Sequence, residues 1–236
     1  MAARQIFLDT ETTGLNARLG DRIVEIGCVE LLSRQVTDKH FHQYLNPERD
    51  IDEGAAKVHG LTREFLADKP LFREVAKEFL DFVAGAELLI HNASFDVEFL
   101  DRELAAAGLG KLAKHVAGIT DTLAMARELH PGKRNALDTL CERYAINNSH
   151  RTLHGALLDA RLLAEVYLAM TRGQESLVID LESAEDAAAS TASIDASRLT
   201  VLKATPEELA AHEAVLARLD AKVKGGSVWN RKPAGS

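Results

Sequence analysis

Phe7-Leu8-Asp9-Thr10-Glu11-Thr12-Thr13-Gly14 follows Ile6 directly, so an apolar run ends in two acids two residues apart. On a strand, residues i and i+2 share a face, so Asp9 and Glu11 point to one spot. Two carboxylates crowded at the end of a buried strand repel each other, and desolvation adds to the cost. A hard divalent cation held by oxygen ligands relieves both terms. An isolated Asp-x-Glu also reads as a solvated strand end entering a Thr/Gly turn, so the reading depends on the other ligands that the chain supplies.

The chain has 236 residues, 46% hydrophobic and 27% charged, an ordinary balance for a soluble globular protein. That length allows one large domain with an appendage. No apolar run approaches the roughly 20 residues of a membrane span. Strand-like sequence begins within five residues of Met1, which leaves no room for a signal peptide. Cys28 and Cys141 lie far apart in apolar settings and read as reduced core residues of a cytoplasmic protein. The net charge is −8 and the pI about 5.6. Sequence-independent DNA binders carry a basic field, so this chain is expected to hold nucleic acid weakly by itself.

Residues 4–9 and 22–32 read as antiparallel strands, and 39–46 as a third strand ended by Asn46-Pro47. An irregular stretch with Val58-His59-Gly60-Leu61-Thr62 follows. Val75, Phe79, Phe82 and Val83 recur at helical spacing over 71–84, with Gly85 as a fitting end. Residues 86–91 make a fourth strand. Ser94 reads as the N-cap of a helix to about Ala107, and Asp121-Thr122 opens another after a short strand at 116–120. Asn135 is expected to open the helix 136–144, and a long helix runs from about Gly155 to Met170. Hairpins first, then strands alternating with helices, imply an α/β chain with a mixed sheet and helices on both faces.

The compact domain is expected at 1–173, a linker at 174–200 and a tail at 201–236. Asp180 to Asp195 holds five acids and no basic residue, a composition of disorder. Thr205-Pro206-Glu207-Glu208 has the parts of a helix start. Leu209, His212, Leu216, Leu219 and Val223 then follow a 3–4 spacing, before Gly225-Gly226 and the only tryptophan, Trp229. A short amphipathic helix beyond a linker needs a surface to dock on, and a partner protein is the expected one.

A further acid stands in His91-Asn92-Ala93-Ser94-Phe95-Asp96, after a strand end and in the first turn of a helix. The helix dipole favours Asp96 there even without a metal. Glu98, Asp101 and Glu103 on the same helix read as solvated. In His154-Gly155-Ala156-Leu157-Leu158-Asp159, a continuous helix would separate His154 from Asp159 by about 140° and about 7.5 Å. A helix that begins after His154 instead leaves the histidine on a loop and Asp159 one turn inside. That suits a fixed metal ligand and a mobile base.

Together these segments resemble the DnaQ-like 3′→5′ exonucleases with four acids and a histidine and, more closely, the proofreading (epsilon) subunits of bacterial DNA polymerase III. The motifs that carry the resemblance are Asp9-Thr10-Glu11-Thr12-Thr13-Gly14, His91-Asn92-x-x-Phe95-Asp96-x-x-Phe99-Leu100 and His154-x4-Asp159. It extends through Pro131-Gly-Lys-Arg-Asn135, Ile146-Asn-Asn-Ser149 and Arg151 to Asp159, and reaches Ala210-Ala-His-Glu213 in the tail.

The resemblance implies a ribonuclease H-like fold and removal of mispaired 3′-terminal nucleotides as 5′-monophosphates. Asp9, Glu11, Asp96 and Asp159 would hold two Mg²⁺ or Mn²⁺ ions, and His154 would act as general base. Thr12, Thr13, Gly14 and Leu15 would seat the terminal nucleotide, Gly14 by letting backbone come close. Asn92 and Phe95 would line the groove, and His59 would touch the strand or hold a loop. Lys133, Arg134 and Arg151 are candidate phosphate contacts, while Asp121 reads as a helix cap.

Gln174, Ser176, Leu177, Val178 and Ile179 resemble a Gln-led sliding-clamp peptide. Leu209, Leu216, Leu219 and Trp229 would, by resemblance, meet the catalytic (alpha) subunit of a DNA polymerase, and a small theta-like accessory subunit is a further possible partner. Single-stranded or frayed 3′ DNA ends would be the substrate, and no membrane is involved. Tethering would supply the effective concentration that the acidic charge denies. Two alternatives stay open at this point: an exoribonuclease of the same superfamily, and a non-catalytic module that stabilises a polymerase.

Overall fold

The computed structural model describes residues 4–149, 153–172 and 204–221; Arg151, the Gln174–Ile179 peptide, the acidic linker, Val223 and Trp229 lie outside them. Strand β1 (Arg4–Thr12) is buried on both faces. Ile6 and Leu8 enter one core, and Phe7 enters another with Ala160, Leu163 and Leu89. That two-sided burial is why the run Ile6-Phe7-Leu8 is continuous rather than alternating.

Strand β2 (Ile23–Leu32) pairs antiparallel with β1, setting Gly27 opposite Asp9 and Glu25 opposite Glu11. Strand β3 (Gln35–Tyr44) pairs antiparallel with β2. Strands β4 (Glu87–Ile90) and β5 (Gly118–Asp121) extend the other side in parallel, giving the order β3-β2-β1-β4-β5. The mixed sheet is as the sequence implies, but β3 starts earlier than residue 39. Ser33 and Arg34 both take positive φ (51° and 61°), making a two-residue hairpin turn without the usual Gly or Asn signal.

Helices α1 (Glu53–His59) and α2 (Arg63–Leu66) occupy the stretch that reads as irregular; both are too short for periodicity to register. Helix α3 (Phe72–Val83) buries Phe72, Val75, Ala76, Phe79, Leu80 and Val83. At about 1.5–3 kcal/mol per large apolar side chain, that face outweighs the weak propensity of a three-turn helix. Helix α4 (Ala93–Ala106) is capped by Asn92 in a left-handed conformation (φ 70°), and Ser94 sits inside the first turn. Glu103 is not solvated: it is buried, and Arg22 grips both its oxygens (2.6 and 2.8 Å), tying α4 to the start of β2.

Helix α5 (Thr122–Leu129) is capped by Asp121, whose carboxylate accepts from the N–H groups of Leu123 and Ala124. Helix α6 (Leu137–Arg143) has Ala136, not Asn135, at its N-cap. Asn135 is instead buried, its amide donating to the Lys133 carbonyl and accepting from Arg143. Helix α7 (Ala156–Met170) packs its Ala160, Leu163 and Ala164 on the β1–β2 face.

The chain divides into two compact units, residues 1–177 and 178–236. In the second, α8 (Pro206–Asp220) starts as its sequence implies, with Thr205 and Glu208 bonding each other's backbone N–H. Among the described residues, both cysteines are buried, and no helix is long and apolar enough to cross a membrane.

Candidate active site

The carboxyl ends of parallel β1 and β4 open onto a cleft of about 730 Å³. Such strand ends are the usual ligand position in open α/β sheets. Asp9, Glu11, Asp96, His154 and Asp159 all line it, so three distant segments meet there. The alternation of β1 does the first part. Asp9 and Glu11 share the α7 side, while Thr10 faces α4 and donates its N–H (3.1 Å) and hydroxyl (2.7 Å) to one Asp96 oxygen. Burial, with a smaller push from nearby Asp121, raises the Asp96 carboxyl to about 7 despite those two donors.

Gly27 does the second part. A Cβ there would fall 2.2 Å from the Ala156 carbonyl carbon and Leu157 nitrogen, so only glycine lets the first turn of α7 sit on β2. Asp159, in that turn and 2% exposed, is thereby delivered beside Glu11. The helix begins after His154, which stays exposed on the preceding loop with Nδ1 3.5 Å from Asp159 Oδ2. Glu11, His154 and Asp159 each present one ligand atom within 4.8 Å of the others. Asp9 and Asp96 border the same cleft outside that tightest group.

Arg127, Lys133 and Arg134 line the same cleft. Cations and acids in one cleft suit a phosphodiester, whose phosphates the cations can contact. Arg127 is absent from the sequence reading, because nothing local on α5 marks it. His91 also borders the cleft, but its Nε2–H donates to the Asn135 carbonyl (2.9 Å) and burial lowers its pKa; it fastens a loop.

A second hollow of about 490 Å³ adjoins the first through Thr10, Glu11 and Phe95. Thr12, Gly14, Leu15 and His59 line it, with Leu15 84% exposed at its rim. Thr13 does not: it is fully buried and holds the turn through Arg22 and Asp52 backbone bonds. Gly14 sits close between Asp21 and Asp52, whose carboxylates would have to shift for a Cβ that would fall 2.5 and 2.6 Å from them. Asn92 borders the acidic cleft. His59 Nδ1 accepts from the Leu61 N–H, so Nε2 carries the proton; burial lowers its pKa against the pull of the Thr12 carbonyl. Among the described residues that buried Nε2 has no partner of good geometry.

A family model for exonucleases (RNase T) matches residues 6–167. The chain is 52% identical over 243 residues to the DNA polymerase III subunit epsilon of Salmonella typhimurium, covering 96% of this chain and 97% of that one. The Escherichia coli subunit gives 52% over 239 residues with the same coverage, and that of Pasteurella multocida 49% over 240 residues, covering 98% and 95%. Among solved structures, exonuclease X in complex with 5′ overhanging duplex DNA superposes with a TM-score of 0.57 at 26% identity, over 72% of this chain and 92% of that one. A zinc-bound Escherichia coli exonuclease I complex with single-stranded DNA shares the fold, with a TM-score of 0.65 at 20% identity over 78% and 43%. The fold, the three converging segments and this identity across nearly the whole chain agree: the chain belongs to the exonuclease family, among the DNA polymerase III epsilon subunits.

Proposed function

We propose that the chain is a 3′→5′ exodeoxyribonuclease that proofreads for a replicative DNA polymerase, with its chemistry in the acidic cleft. The observation that carries this reading is the meeting of Asp9, Glu11, Asp96, Asp159 and His154 in one cleft that three cations also line. Crowded carboxylates in a buried setting fit divalent cations, and burial already raises the Asp96 carboxyl, a cost that a bound cation offsets. The four acids would hold the ions, and oxygen donors favour Mg²⁺ or Mn²⁺ over softer metals. When bound, such ions supply countercharge for the phosphate and acidify water.

The side chains then divide the work. His154, exposed on its loop, takes the proton of the attacking water. The water oxygen bonds to phosphorus as the bond to the penultimate 3′ oxygen breaks, releasing a nucleoside 5′-monophosphate and a new 3′ hydroxyl. Arg127, Lys133 and Arg134 steer the backbone, and the hollow between Leu15 and His59 seats the terminal nucleotide. A mispaired end unstacks at lower cost than a paired one and reaches that hollow more often.

The tail supplies the partner contacts in this reading. Leu209 and Leu219 are 52% and 42% exposed on α8, an apolar side suited to a polymerase catalytic subunit. The Gln174–Ile179 peptide would reach a sliding clamp, and a theta-like subunit would be a further contact. The decisive test is hydrolysis of a 3′-mismatched DNA primer with Mg²⁺, with Mn²⁺ and with chelator, beside an RNA oligomer of the same sequence. Metal-dependent release of 5′-mononucleotides from DNA is expected. An RNA preference would establish an exoribonuclease, and inertness with both metals a non-catalytic module.

A further inference from the structure

Of the four acids and the histidine that meet in the acidic cleft, His154 is the exposed one, and among the described residues its loop touches α1 at two points. Its backbone N–H donates to the Val58 carbonyl at 3.1 Å. Leu153 lies over Gly60 so closely that a Cβ on Gly60 would come within 2.4 Å of Leu153 Cδ1. Gly60 has φ +72°, the left-handed end of α1, which glycine adopts freely. The receiving surface is thus the last turn of α1.

That same turn forms a wall of the second hollow. Val58 and His59 line it together with Asp52, Gly54 and Ala55. His59 is 4% exposed and lies beside the Thr12 carbonyl, so it packs this turn against the end of β1. Residue 58 therefore lines the hollow and also holds the histidine loop through its carbonyl.

We infer that the Val58–Gly60 turn is a positioning latch, through which seating of the 3′-terminal nucleotide in the hollow sets the placement of His154 in the adjoining cleft. The inference rests on the nuclease reading above. A filled hollow fixes the end of α1, and the fixed carbonyl and glycine hold the loop that carries the base. An empty hollow leaves the end of α1 freer to shift, and the loop held by it shifts as well. Small misplacements of a catalytic group cost large factors in rate, so a latch of two contacts is enough to discriminate a properly seated end. Leu153 and Val58 are positioning residues here; neither touches the reacting atoms.

The test is Leu153→Ala in the full chain, with single-turnover and steady-state hydrolysis of two single-stranded DNA oligomers. One ends in a normal 3′ nucleotide. The other ends in a 3′ abasic residue, which leaves the hollow unfilled. Leu153 is 50% exposed, so the substitution leaves the core intact. The wild-type chain is expected to favour the normal end. In Leu153→Ala, kcat on the normal end falls roughly tenfold, KM stays within about twofold, and the normal-to-abasic ratio drops toward one. Leu153→Met restores all three values. Unchanged kcat, or an equal loss on both ends, would overturn the latch while leaving the nuclease reading in place. A wild-type chain inert on both ends would overturn that reading and the latch with it.

Discussion

Glu25 on β2 stands directly opposite Glu11 on β1, and His42 Nε2 lies 2.7 Å from its carboxylate. Side chains so paired across an antiparallel ladder are neighbours, and like charges there repel. Glu25 is buried, so His42 is its local compensation. His42→Ala leaves that carboxylate buried without its partner and is expected to cost about 2 kcal/mol of stability. Glu25→Gln together with His42→Ala recovers most of the loss. Urea denaturation of the two variants measures both values; an additive double variant would rule the pairing out.

Gly27→Ala forces α7 away from the sheet, since the new methyl would meet the backbone of Ala156 and Leu157. Overpacking of this kind costs about 1–3 kcal/mol. The rate is expected to fall further than stability, because Asp159 rides on the displaced turn and misplacement by about 1 Å costs roughly a hundredfold. Comparing turnover with the melting temperature separates the two effects. Full activity in a folded Gly27→Ala chain would show that Asp159 does not depend on this contact.

Asp9→Ala and His154→Ala are expected to keep the fold and lose most turnover. Loss of a general base costs roughly 10²–10⁴-fold, so His154→Ala retains a measurable residue of activity. Circular dichroism and single-turnover hydrolysis on the same samples give the comparison. An unchanged rate in either variant removes that residue from the mechanism.

The raised Asp96 carboxyl, at about 7, links metal binding to pH. Between about pH 4 and about pH 7 the metal-free folded state holds a proton that the unfolded chain has released. Stability of the metal-free protein therefore falls as pH rises through that window and levels off above it. Divalent cations favour the ionised carboxyl, so their stabilising effect grows over the same range. Thermal melts with chelator or with Mg²⁺, at pH 5.5 and pH 8, should show a larger Mg²⁺ shift at pH 8. An equal shift at both would contradict the assignment of Asp96 to the metal group.

A chain ending at residue 180 is expected to keep exonuclease activity and lose co-elution with a polymerase catalytic subunit. The first unit holds the acidic cleft, whereas α8 presents Leu209 and Leu219 from the second. Size-exclusion chromatography of the two chains with the polymerase subunit decides it. Retained co-elution would move the docking surface into the first unit.

What was legible in the sequence was local. The period of two placed Asp9 and Glu11 on one side of β1, the apolar spacing of Phe72–Val83 marked α3, and Thr205 with Glu208 announced α8. What was not legible depends on residues far away in the chain. Gly27 owes its identity to Ala156 and Leu157, and Glu103 is buried because Arg22 reaches it. Asn92 caps α4 from a left-handed conformation that also lets its N–H reach Asp121, so the more usual cap, Ser94, was displaced. Asn135 looked like a helix start and proved to be a buried tie for its own loop.

Thr10 sits between Asp9 and Glu11 and turns the opposite way, to hold Asp96. A slip of β1 by one residue would exchange these faces, turning both acids toward α4 and leaving a hydroxyl where they belong. The nuclease chemistry proposed for the cleft is therefore tied to a single pairing of β1 with β2, the one that sets Gly27 across from Asp9.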